Sequence, residues 1–141
     1  MPGWGGSQRL PRIIGLPFAG DLIGTGKTIN AIRAAEIDLA IGPIDSDTLV
    51  QSAMKVLNIE GWQSARRQKM EWIPADNRAL YRPQLEGAST AVREALTAMV
   101  AGSALPLTEA IARESEGFFR LAGTDESKAR IAEFFAARKG S

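Results

Sequence analysis

Gly3, Gly5 and Gly6 stand close together just before Ser7, and glycines so placed permit left-handed dihedrals and close backbone approach. The loop they form can aim amide N–H groups at a ligand or a water, or simply turn the chain into a helix. Gly24-Thr25-Gly26-Lys27-Thr28 has the look of a phosphate-binding loop. The pattern G-x-x-x-x-G-K-[ST] would need glycine at position 21, but that residue is Asp21, a carboxylate where phosphate should approach. No strand pattern precedes it either, so the segment reads as the glycine stop of a short helix. Arg66, Arg67 and Lys69 form a basic cluster suited to phosphate contact or, more commonly, to a solvated helix face.

Glu114 lies between Ile111 and Phe118 on an otherwise apolar stripe, at three and four residues from them, which predicts a half-buried carboxylate. Such a group serves as a general acid or as half of an ion pair; a structural pair with an arginine such as Arg9 or Arg138 is the expectation. Phe118, Phe119, Phe134 and Phe135 read as core or interface residues, with stacking on a flat ligand as the functional alternative. The absences narrow the chemistry further. With no cysteine and no histidine, the chain has no disulfide, no thiolate nucleophile, no Ser-His-Asp triad and no histidine metal site. Proton transfer would fall to carboxylates, lysines or the lone Tyr81, and neither a metal nor a resident cofactor is expected.

The elements that must position these residues are helical. Apolar residues make up 45% and charged residues 23% of 141 positions, with a net charge of +1, values of a globular domain without a polyanion partner. Nucleic acid is therefore not an expected partner. No apolar run reaches the roughly 18 residues of a membrane span, and a cytoplasmic or organelle-matrix protein is the expectation. Ser7 is placed to cap a helix running to Ile14 with Gly15 as its stop, shortened by Pro11 to a turn or two. Phe18 to Ile23 forms a second short helix. Thr28 to Glu36 forms another with Ile29, Ile32 and Ala35 inward.

Asp45 or Ser46 caps a helix lined on one side by Leu49, Val50, Ala53, Met54 and Leu57. Trp62 to Met70 is basic and amphipathic, and Pro74 to Leu85 is a weaker helix, within the linker-like stretch Pro74 to Gly87. Ala88, Val92, Ala95, Leu96, Met99 and Val100 mark a helix ended by Gly102 and Ser103. Leu107, Ile111, Phe118 and Leu121 mark the next, closed by Gly123. Thr124 caps the last, with Ile131, Phe134 and Phe135 on one side and Arg138 and Lys139 at its negative end. Only Leu39 to Ile44 is strand-like. The fold class is mainly α, with at most a short strand near Leu39–Ile44.

The run Pro2-Gly3-Trp4-Gly5-Gly6-Ser7-Gln8-Arg9-Leu10-Pro11-Arg12-Ile13-Ile14-Gly15 resembles a segment of the crotonase (enoyl-CoA hydratase/isomerase) superfamily. The T-G-K stretch at Thr25, followed by Ile29, Ala31 and Ala34, matches the continuation. Leu105-Pro106-Leu107-Thr108-Glu109-Ala110, Glu114, Phe118, Gly123-Thr124, Ala129, Ile131, Phe134-Phe135 and Arg138-Lys139 resemble that family's C-terminus. Arg66 to Glu71 resembles an R-R-x-K-M-E run of its fatty-acid oxidation members. The likeness is strong over Pro2 to Ala34 and Leu105 to Lys139 and looser between.

The resemblance implies the helical C-terminal part of the α/β crotonase (ClpP-like) fold, as one segment over 1–141. Within it, 1–45 would end the spiral core and 46–141 would form the helical C-terminal region. It implies an enzyme that hydrates or isomerises 2-enoyl-CoA thioesters in fatty-acid or related acyl-CoA metabolism, a lyase or isomerase. Its two catalytic glutamates would precede this segment, so the chain alone is expected to be inactive. By resemblance, the backbone N–H of Gly3 helps hold the water, Gln8, Arg9 and Glu114 are structural, and Phe118 and Phe134 lie near the substrate. Acyl-CoA is the expected partner, with coenzyme A entering as part of the substrate, and the oligomer expected is a trimer or hexamer.

Three departures stand out. The family's glycine after the A-x-x-A helix is Ile37, a lysine associated with adenine aligns with Ala137, and no GGG-type loop or glutamate pair is present. A helical interaction module derived from a crotonase, without catalysis, is the alternative.

Overall fold

The computed structural model describes residues 1–71, 73 and 75–139. Among them it forms nine α-helices, one 3-10 turn and no strand, so the mainly α fold class is observed. The segment Leu39–Ile44 is a bend and an open loop instead of a strand. Pro74 and the side chain of Lys139 lie outside the described residues.

The body of the molecule is built around α7 (Thr90–Gly102), which packs against α1 (Gly6–Ile14), α2 (Leu16–Thr25) and α8 (Leu107–Leu121). Ser89 caps α7 by accepting from the Val92 N–H at 3.4 Å, and the following apolar positions meet the core at helical spacing. Leu16, Ala19, Leu96 and Met99 are buried together with Ile14, Ile37 and Ile73. Each large apolar side chain removed from water here contributes about 1.5–3 kcal/mol. This core joins residues 1–45 to the helices after residue 88 in a single packed unit.

Helix α1 begins two residues earlier than a Ser7 cap would dictate. Gly5, left-handed at φ 85°, is its N-cap, and no side chain caps it. Ser7 is inside the first turn, where its side chain is used for something else. Pro11 is accommodated within nine helical residues, and Gly15 closes the helix by donating its N–H to Pro11 O at 3.0 Å. Helix α2 ends at Gly26, left-handed at φ 65°, whose N–H bonds to Leu22 O. The glycines before Lys27 are thus a helix stop, and Lys27 forms an ion pair with Asp21.

Helix α3 (Ala31–Glu36) is shorter than expected, because Asn30 caps it by accepting from Arg33 N–H at 2.8 Å; Thr28 and Ile29 precede it. Ile29 packs on the core, whereas Ile32 is mostly exposed. Ile37 ends α3 at φ −101° and is buried, and the left-handed residue is the next one, Asp38, at φ 61°. A β-branched side chain avoids that region, while aspartate tolerates it, so the turn sits one position later.

After the 3-10 turn Ser46–Thr48 come α4 (Leu49–Leu57), α5 (Trp62–Glu71) and α6 (Ala75–Leu80). Neither Asp45 nor Ser46 supplies a side-chain cap to this stretch. The apolar stripe of α4 forms but is not covered, with Leu49, Val50, Met54 and Leu57 exposed at 52%, 71%, 59% and 57%. Helix α4 packs mainly on the preceding turn and on α5. The last helix, α9 (Asp125–Lys139), starts at Thr124, whose Oγ1 accepts from Ser127 N–H at 3.2 Å. Its residues Ile131, Phe134 and Phe135 remain more than half exposed.

Candidate ligand-binding groove

A groove of about 670 Å³ opens between α8 and α9. Phe118 and Leu121 form its α8 wall and Ile131, Phe134 and Phe135 its α9 wall, with Met1 and Ala91 at one side. The lining is mainly apolar, which suits a hydrocarbon chain or a flat ring more than a free anion. Thr124, Glu126, Ser127 and Arg130 are the polar side chains of the lining. Arg130 pairs with Glu126 at 3.6 Å, and Arg138 lies 4.8 Å from the centre of the Phe134 ring. A hydrogen bond from Thr90 holds the Glu126 carboxyl below its usual value, and Arg130 adds to that effect.

Phe118 and Phe134, the two ring positions expected near a ligand, therefore share one groove. Gly3 lies directly behind it. A Cβ at residue 3 would stand 2.6 Å from the Phe118 ring, so only glycine lets the loop lie against that side chain. Phe119 points away to solvent, in edge-on contact with Phe118 at 5.8 Å between ring centres.

The loop that carries Gly3 is fixed by Glu114, one turn before Phe118 on α8. Glu114 is fully buried and pairs with no arginine, contrary to the expected ion pair. Its Oε1 accepts from Gly5 N–H at 2.5 Å, while its Oε2 accepts from Ser7 N–H at 2.7 Å and from Ser7 Oγ at 2.5 Å. These N–H groups belong to the first turn of α1, where the helix has no internal acceptors to offer, so a carboxylate there meets both free donors and the positive end of the helix. Arg9 turns outward and donates to Trp4 O.

Three buried side chains then tie α1 to its neighbours. Ser7 Oγ accepts from Gln8 Nε2 at 2.9 Å, and the same amide donates to Ala98 O at 3.0 Å. Arg12, which sequence reasoning passed over, donates to Gln8 O at 2.6 Å, Gly102 O at 3.1 Å and Leu105 O at 2.8 Å. Burial pushes this guanidinium below its ordinary value. It satisfies the carbonyls at the α7–α8 turn, and so sets the angle at which α8 leaves the core. The one available signal was its spacing: a charged residue four after Gln8 and flanked by Pro11 and Ile13.

Tyr81 borders a second cavity, of about 480 Å³, with Asp21, Arg82 and Glu86. Burial first, and the nearby Asp21 charge second, raise its phenol above the ordinary value of 10.0. It stays protonated at neutral pH and is no base. Arg66 and Lys69 line a third cavity of about 520 Å³ beside Trp62, while Arg67 is exposed outside it. Among the described residues there is no group of three or more acidic side chains placed to hold a metal ion. No described helix is long and apolar enough to cross a membrane. No protein-family model matches this chain.

Proposed function

We propose that this chain is a crotonase-like acyl-CoA-binding segment, in which the α8–α9 groove receives part of the thioester and the Gly3 loop lies beside it. One observation carries the reading: Phe118 and Phe134 line one apolar groove of about 670 Å³, and Gly3, distant in sequence, lies against the Phe118 ring behind it. In the full reaction a 2-enoyl-CoA thioester would be hydrated or isomerised in fatty-acid or related acyl-CoA metabolism. That chemistry needs an oxyanion hole of N–H groups and two proton carriers. Within this groove the one carboxylate at the lining is Glu126, already engaged by Arg130. Glu114 is sealed behind the loop with its oxygens occupied.

The chain by itself is therefore a binding wall without an acid–base pair, and it turns over no crotonyl-CoA. Titration with octanoyl-CoA tests the reading. Saturable binding that weakens with added salt supports it, because the ester has an apolar tail and several phosphate charges. Absence of binding at millimolar ester overturns it.

The uncovered α4 stripe favours a second role, an apolar contact with a further polypeptide. A homo-oligomer, trimer or hexamer, is the form we propose, in a cytoplasmic or matrix setting. Sedimentation that gives a monomer across the micromolar range contradicts the oligomer. If thioester binding also fails, a non-catalytic helical interaction module becomes the better account.

A further inference from the structure

We infer that Glu114 is a positioning residue, through which the backbone N–H of Gly3 and the Phe118 wall of the groove are held as one unit. The inference rests on the thioester reading for its use, but its geometry stands alone. Glu114 and Phe118 lie one turn apart on α8. The carboxylate holds the chain at Gly5 and Ser7, and the ring stands against Gly3, two residues upstream of the first of these anchors. The loop is thus attached to a single helix at both ends.

The donors sort accordingly. Gly5 N–H and Ser7 N–H turn inward to the carboxylate, while Gly5 O accepts from Gln8 N–H at 3.2 Å and Arg9 N–H at 2.8 Å to start α1. No described partner takes the N–H of Gly3. A free donor held at a fixed place, against the ring that walls the groove, is what a bound carbonyl or water needs. Without the carboxylate the inward donors would have to seek other acceptors, and Gly3 would lose its fixed orientation. An ion pair at this position would not do the same, since the donors of an arginine would occupy the carboxylate oxygens that here accept from Gly5 and Ser7.

Glu114→Gln tests this without changing size. Glutamine keeps one acceptor oxygen but turns an NH2 group toward an N–H donor. In the free protein, amide exchange at Gly3 is expected to rise about tenfold and the Gly5 amide resonance to lose its carboxylate-bonded shift, while core amides of α7 stay put. Octanoyl-CoA affinity is expected to fall about tenfold, the loss of roughly one charged hydrogen bond's worth of order. Glu114→Asp, which keeps both oxygens, should restore part of each effect.

A folded Glu114→Gln protein with unchanged Gly3 exchange and unchanged affinity overturns the inference. Should that variant fail to fold, Ser7→Ala removes one of the three bonds, and unchanged Gly3 exchange there overturns it equally. If the unaltered protein binds no octanoyl-CoA, the thioester reading fails on its own, and Gly3 exchange still decides the role of Glu114.

Discussion

At the scale of single residues, the polar groups buried in this protein join helices more than they face solvent. Arg12 is the clearest case. Its removal strands the Leu105 carbonyl and takes one of two donors from Gly102 O, so Arg12→Ala should cost about 3 kcal/mol, measured by urea denaturation. Gly3→Ala should cost about 1–3 kcal/mol, because the added methyl overlaps the Phe118 ring, and it should weaken ligand binding through the displaced wall. A variant as stable as the parent contradicts the close approach. Glu114 shows what composition can and cannot disclose. A half-buried place followed from its position between Ile111 and Phe118, but its full burial and its partners did not, since backbone donors more than 100 residues away leave no trace in side-chain types. An expected arginine partner was the ordinary solution for a buried carboxylate; a helix start with unspent N–H groups was the one used.

At the scale of elements, the helices α7, α8 and α9 were legible because apolar spacing, the stop at Gly102 and Ser103 and the cap at Thr124 agree with one another. Short helices were less legible. The start of α1 is set by Gly5 and a distant carboxylate, and the end of α3 by a turn displaced from Ile37 to Asp38. The α4 stripe was visible in sequence, whereas its lack of a cover depends on the rest of the fold. Val50→Glu together with Met54→Glu should change the stability of the monomer by under about 0.5 kcal/mol, since both side chains are already exposed, and should shift the proposed oligomer toward monomer in sedimentation. Loss of folding in that variant would mean that the stripe is covered within the chain.

Tyr81 anchors the connection after α6 to the core, beside Asp21 of α2. Its folded value lies above its unfolded one, so the neutral phenol is the form the fold prefers. The contribution is fully present below the ordinary tyrosine value of 10.0 and is lost as pH rises through the higher folded value. Melting between pH 9 and about 12 should therefore fall more steeply for the parent than for Tyr81→Phe. Parallel curves would contradict the burial of the phenol.

At the scale of the whole molecule, a helical body around α7 supports one face on which a glycine loop and two aromatic helices meet. The helical class was readable from the sequence; that Phe118 and Phe134 share one groove, with Gly3 against the Phe118 ring, was not, because it depends on the Glu114 and Arg12 bonds that hold α8. The most direct measurement is calorimetric titration of octanoyl-CoA into the parent and into Phe134→Ala. A saturable site in the parent, weakened about tenfold or more when the ring is removed, is predicted. No binding at millimolar ester, or equal affinity in both proteins, would contradict the account.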